Sequence, residues 1–281
     1  MKSEYNLEVQ RHAKRDALIA LFAVLFFIVV SSIFVAFGPI IPRISPINWS
    51  DLLDNARLWY WPIEKVLISI VPVIIVILAA KQRFASIGLH KTHLLPALRL
   101  GFMFSLIPLF FGILPRILYG AEFIGLGLFM IWFARIFFMA AAEDILFVGF
   151  LQTRLSGYFK SDKAALCLGA ALFSLMHVPT WIINGNFQGL GIMLVVIIII
   201  IWFIMHLAFV AVYRRYNSLV PVTVLHTLLN FMGWPGNHIW RFADEYRSII
   251  ETMTIPATPL FIVAVGVWVF VRYRRINKAT E

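Results

Sequence analysis

Six ionisable side chains lie inside long apolar stretches of this 281-residue chain: Arg135, Glu143, Asp144, His177, His206 and His226, with the amide of Asn230 beside them. An ionisable group within a membrane helix is costly, and by default it marks function. Their depths agree. Glu143 precedes Arg154 by 11 residues, His177 follows Lys163 by 14 and His226 follows Arg215 by 11. At about 1.5 Å per residue, the three lie roughly 16–21 Å from the cytoplasmic ends of their helices. Three polar groups on three helices can therefore meet in a bundle interior and partly satisfy one another. The chemistry that suits them is water activation. A carboxylate and a histidine can hold and deprotonate a water molecule, while a second histidine and an amide donate hydrogen bonds to an oxyanion. Amide hydrolysis needs both halves.

Spacing refines the set. His226 and Asn230 are four residues apart and share a helix face, as do Phe173 and His177. Glu143 and Asp144 are neighbours, about 100° apart on an α-helix, so at most one points straight into a shared pocket. Asp144 is expected to support rather than react, Phe173 to pack beside the site and Arg135 to partner an acidic group. His206 stands in no motif and reads as a polar contact near the cytoplasmic side. Of 14 acidic residues, only Glu143 and Asp144 are expected deep in the bilayer.

The elements that must position these groups are membrane helices. The chain is 61% hydrophobic and 14% charged, against about 45–50% and a quarter in a soluble domain. Mean hydropathy is +0.88. An ordinary soluble fold and a disordered chain are both excluded. A span needs roughly 20 apolar residues. Eight segments are expected to supply one each: 17–37, 63–80, 98–118 (with Pro108 and Pro115 inside), 124–155, 164–183, 190–213, 219–234 and 259–271. The fourth is too long for a perpendicular crossing and should tilt or project.

The formal charge of +10 reads as topology, not as a nucleic-acid surface. With both termini in the cytoplasm, most Lys and Arg fall on the inner side, as the positive-inside rule requires. Arg43, Arg57, Lys65, Arg116, Arg241 and Arg247 are assigned to outer segments. The first helix reads as an uncleaved anchor, since no small-residue cleavage site follows it. Trp49, Trp59, Tyr60, Trp61 and Trp240 are expected at headgroup level. A single cysteine, Cys167, excludes an intrachain disulfide. Residues 1–281 read as one integral membrane domain without internal repeats, which disfavours a transporter.

Three motifs then carry a resemblance. Glu143-Asp144-Ile145-Leu146-Phe147-Val148-Gly149-Phe150-Leu151 is similar to E-E-x-x-x-R with its F-R-G-x-L continuation; Phe173-Ser174-Leu175-Met176-His177 fits F-x-x-x-H; His226-Thr227-Leu228-Leu229-Asn230 fits H-x-x-x-N. In order, one per helix and within about 90 residues, they resemble the CPBP family of intramembrane proteases, also called the Abi or type II CAAX protease family. The resemblance covers roughly residues 98–233, the third to seventh helices. It implies an all-α polytopic fold with a conical core. It also implies an endopeptidase in which Glu143 and His177 activate water and His226 and Asn230 stabilise the oxyanion. The expectation is a metal-free site. The alternative is zinc held by Glu143, His177 and His226, an acceptable ligand set by type. The expected partners are membrane lipid and a peptide or membrane-protein substrate, with no nucleic acid, and the localisation is a prokaryotic cytoplasmic membrane. Two positions depart from the pattern. Asp144 replaces the second Glu, and Val148 stands where the family has Arg, for which Arg135 is the candidate substitute. The competing expectation is a catalytically inert CPBP-like protein serving as a scaffold, immunity or secretion-associated factor.

Overall fold

The structure is a computed structural model that describes residues 12–37, 63–123, 125–159, 161–183, 191–232, 240–241 and 244–278. Trp49, Trp59, Tyr60 and Trp61 lie outside the described residues. Each of the eight expected segments is helical over most of its described residues, as a chain in lipid must be, because only internal hydrogen bonds satisfy its backbone there. Among the described residues, six helical runs are long and apolar enough to cross a bilayer, beginning at Ala13, Leu94, Leu126, Asp162, Ile192 and Glu245. The other two expected spans, near residues 63–79 and Val220–Phe231, are shorter. The chain divides into two compact units, residues 1–90 with 141–207 and residues 91–140 with 208–281.

The first unit opens with α1 (Ala13–Phe37). A second helix, described from residue 63, passes through a π-helical stretch, Val66–Ile70, into α2 (Val71–Ala79). The start of α1 and the turn after α2 share a buried polar network. Gln82 Nε2 donates to Asp16 Oδ2 at 2.5 Å, and Arg154 Nη2 donates to Gln82 Oε1 at 2.5 Å and to Ser86 Oγ at 3.0 Å. Arg154 is fully buried. It was expected to be a simple inner-side charge, and instead it ties three segments together.

The second unit is built on α3 (Leu94–Leu118). Beyond it, a two-residue strand β1 (Glu122–Phe123) leads to α4 (Leu126–Glu143), whose last turn enters the first unit. The expected single helix over 124–155 is then interrupted. Asp144–Leu151 is π-helical, and α-helix resumes as α5 (Gln152–Tyr158). The Gln152 amide accordingly returns to the Phe147 carbonyl, five residues back.

The next expected helix is also broken. α6 (Asp162–Leu175), whose N-cap Ser161 accepts from the Ala164 amide, stops before Met176, and α7 (His177–Ile183) starts afresh. Pro179 contributes to the break. It has no N–H to give the carbonyl of Leu175, and its ring crowds that carbonyl. The remaining elements are α8 (Ile192–Arg214), α9 (Val220–Met232), a strand β2 (Trp240–Arg241) antiparallel to β1, α10 (Asp244–Thr254) and α11 (Ala257–Lys278). In the second unit α3 lies directly along α9. A Cβ placed on Gly101 would stand 2.9 Å from the Pro221 carbonyl oxygen, so the close approach requires glycine. Phe104 of α3 meets Phe261 and Trp268 of α11 edge-on, at 6.1 and 5.7 Å between ring centroids.

Candidate functional site

In the first unit, Glu143 closes α4 at the point where the helix widens into its π-turns. It is buried, and Asp144 behind it is fully so. Lys65 Nζ stands 3.4 Å from Glu143 Oε1. The same ammonium sits over the face of Phe27 in α1, 4.2 Å from the ring centroid, so three segments meet at one charge pair. Glu64 is also buried and lies within electrostatic reach of Lys65 and Glu143. Two expectations change here. Lys65 does not belong to an outer loop but lies at the level of Glu143, because its helix starts before the purely apolar run does. Glu64 and Asp16 join Glu143 and Asp144 as buried acids. Each lies at the end of an apolar segment, where it reads as a solvated flank.

His177 occupies the first position of α7, just after the break. Its ring stacks on Trp181 (5.3 Å, 12°), lies 4.3 Å from the Trp202 ring and meets Phe173 edge-on at 5.5 Å. The i, i+4 relation of Phe173 and His177 thus survives the broken helix. Phe173 is fully buried and also meets Phe147 at 5.4 Å, His206 at 5.0 Å and Trp202 at 6.1 Å. His206 is fully buried as well, and its Nε2 is 3.3 Å from Gln152 Oε1. Read through the network, Nε2–H donates to the amide oxygen, whose own –NH₂ faces Ser156 Oγ at 3.3 Å. The polar contact expected of His206 is present, but in the packed interior rather than at a wetted end. Gly169 makes room for it: a Cβ there would collide with Gln152 Oε1 and stand 3.2 Å from His206 Nε2.

In the second unit, His226 is buried in α9 with its ring 4.9 Å from Phe209. Asn230 lies one turn further along and is half-buried. Phe231, next in sequence, packs against Phe129 and Phe133 of α4, at 5.1 and 5.6 Å. Arg135 holds its guanidinium over Trp132, 4.6 Å from the ring centroid.

Glu143, Asp144, Phe173 and His177 therefore share one unit with His206, while Arg135, His226 and Asn230 lie in the other. Sequence reasoning missed Lys65, Glu64, Gln152 and the two tryptophans around His177. A lysine three residues into a helical run was the available signal for the first. Gln152 had none, because its partner is 54 residues away. Among the described residues, no three His, Cys, Asp or Glu side chains form a group that could hold a metal ion.

Known proteins were compared with the chain. No curated protein matches it. The family described as type II CAAX prenyl endopeptidase Rce1-like matches residues 125–232, which contain all three motifs. Residues 125–232 are thus similar to the type II CAAX prenyl endopeptidase family, within a predominantly helical, multi-pass integral membrane chain.

Proposed function

We propose that the chain is an intramembrane endopeptidase of the CAAX-protease type. The observation that carries this reading is the buried Glu143, held by a cation, in the same compact unit as a histidine presented at a helix break. Glu143 is the general base. With His177 it holds a water molecule, removes its proton and directs the resulting hydroxide at the carbonyl carbon of the scissile peptide bond. Negative charge then develops on the carbonyl oxygen. His226 and Asn230, one turn apart on α9, donate hydrogen bonds to it. Collapse of the tetrahedral intermediate breaks the C–N bond, and the proton carried by Glu143 passes to the departing amine. The aromatic wall of Trp181, Trp202 and Phe173 fixes the plane of the His177 ring and limits the water around it. No metal ion takes part in this scheme. The substrate is a peptide or membrane protein that reaches the bundle from the cytoplasmic side or laterally from lipid, in a prokaryotic cytoplasmic membrane.

The test is a comparison of peptide fragments from membranes carrying the native chain and the Glu143→Gln variant. The fragments should disappear in the variant while the protein still inserts and accumulates. Fragment sets that do not differ would sink the assignment. A second reading, an inert CPBP-like scaffold or immunity factor, is favoured by Val148 at the motif's arginine position. Under that reading Val148→Arg switches on cleavage in a chain that otherwise shows none.

A further inference from the structure

The acid that the proposed chemistry depends on needs a counter-charge, and the matched segment does not provide the usual one. Val148 is fully buried and apolar. The same unit holds three buried carboxyl groups, Glu64, Glu143 and Asp144, and Glu64 lies within electrostatic reach of Glu143. Buried charges persist in a water-poor interior only when they are paired. The partner that the structure brings to Glu143 comes from elsewhere in the chain. Lys65 Nζ approaches Oε1 to 3.4 Å, with the lysine side chain only 12% exposed.

Its position is not that of a loosely tethered surface lysine. The ammonium rests on the Phe27 ring, an attraction that grows as water is removed. Phe27 is fixed edge-on to Phe147 at 5.8 Å, and Phe147 edge-on to Phe173 at 5.4 Å. A ladder of three rings therefore runs from the lysine to the second motif. Its middle rung is the residue next to Val148.

We propose that Lys65 is the positioning residue of Glu143, supplying from outside residues 125–232 the cation that the first motif lacks. Its catalytic consequence rests on the function proposed above, but its pairing with Glu143 does not. It makes the N-terminal helices part of the site rather than a generic anchor.

The test is a thermal-unfolding cycle on the full-length chain in detergent, with fragment yield measured in parallel. Lys65→Met should lower the melting temperature. Adding Glu143→Gln to it should cost little further, because the charge that has lost its ammonium is neutralised. Lys65→Arg should retain most of the native melting temperature, and Val148→Arg should recover much of what Lys65→Met loses. If Lys65→Met does not accumulate, the proposal requires that the neutral pair Lys65→Met/Glu143→Gln does. Fragment yield should fall about 10²-fold in Lys65→Met, as expected for a misaimed group, and return substantially in Lys65→Arg. Additive losses around the cycle, or a Lys65→Arg as damaging as Lys65→Met, would overturn the pairing. Coupled melting with no fragment loss in Glu143→Gln retains the pairing and removes the protease reading. Additive melting with fragment loss in Glu143→Gln does the reverse.

Discussion

The two units solve the same problem, a packed interior without water, by different means. The unit formed by residues 1–90 and 141–207 is polar inside. It buries Asp16, Glu64, Glu143, Asp144 and Arg154, together with His206, and connects several of them across segments far apart in sequence. The unit formed by residues 91–140 and 208–281 is held by rings and close backbone contact, with Phe104, Phe129, Phe133, Phe231 and Phe261 in edge-on pairs and Gly101 against Pro221. Its buried Arg116 donates to the Gly112 carbonyl of its own helix. Polar networks specify position only when complete and are sensitive to any missing member. Ring packing tolerates change more gradually. The unit holding the proposed base is thus the more exacting of the two.

The largest effects should separate the chemical tasks of the units. Glu143→Gln removes the base and should cost about 10²–10⁴-fold in cleavage rate. His226→Ala removes one oxyanion donor and should cost about 10²–10³-fold, leaving measurable turnover. Single-turnover rates in vesicles would show the split. Asn230→Ala causing no loss at all would break it.

A smaller difference is expected in stability. Arg154→Met strips charged hydrogen bonds from Gln82 and Ser86 and should cost about 1.5–3 kcal/mol or more. Arg116→Met loses a bond within one helix and should cost less, of the order of 1 kcal/mol. Denaturation of both variants in the same detergent would rank them, and the reverse order would contradict the contrast drawn here.

The two tight glycines sharpen the comparison further. Gly169→Ala and Gly101→Ala should each destabilise by about 1–3 kcal/mol through overpacking. The remedies differ. At Gly169 the obstacle is the end of a side chain, so Gln152→Ala in the same chain should relieve it. At Gly101 the obstacle is a backbone carbonyl, and no side-chain truncation should help. The smallest expected effect is none: chelation of divalent ions should leave the cleavage rate unchanged, and a fall would revive the zinc alternative.

The helical segments were legible because apolar length alone marks them. What stayed hidden was of two kinds. Lys65, Glu64 and Asp16 sit at the ends of apolar runs, where a charge normally marks solvent. A lysine carries its ammonium on a long stem that can reach well away from its own backbone position, so its place in the chain says little about where its charge rests. Gln152, Gly169 and His206 meet only through tertiary packing, and no periodicity reveals such a trio. The break at Met176 was only partly readable: Pro179 removes one helical hydrogen bond, but Pro108 and Pro115 do the same inside an unbroken α3. The π-helical turns after Glu143 left no comparable trace, since Asp144–Leu151 is as apolar as any neighbouring span.

Those widened turns set how this stretch responds to a change in length. A π-turn accommodates one more residue than an α-turn closing the same gap. Deleting one residue between 144 and 151 would let the segment rewind as an ordinary helix across the same gap, so that the chain beyond keeps roughly its phase relative to Glu143. Gln152 and Arg154 would then stay near His206 and Ser86, whereas the same deletion in a purely α-helical span would turn everything beyond it by about 100°. A single deletion should therefore be better tolerated here than in a neighbouring α-helical span, and that tolerance measures how far the polar interior depends on helical phase.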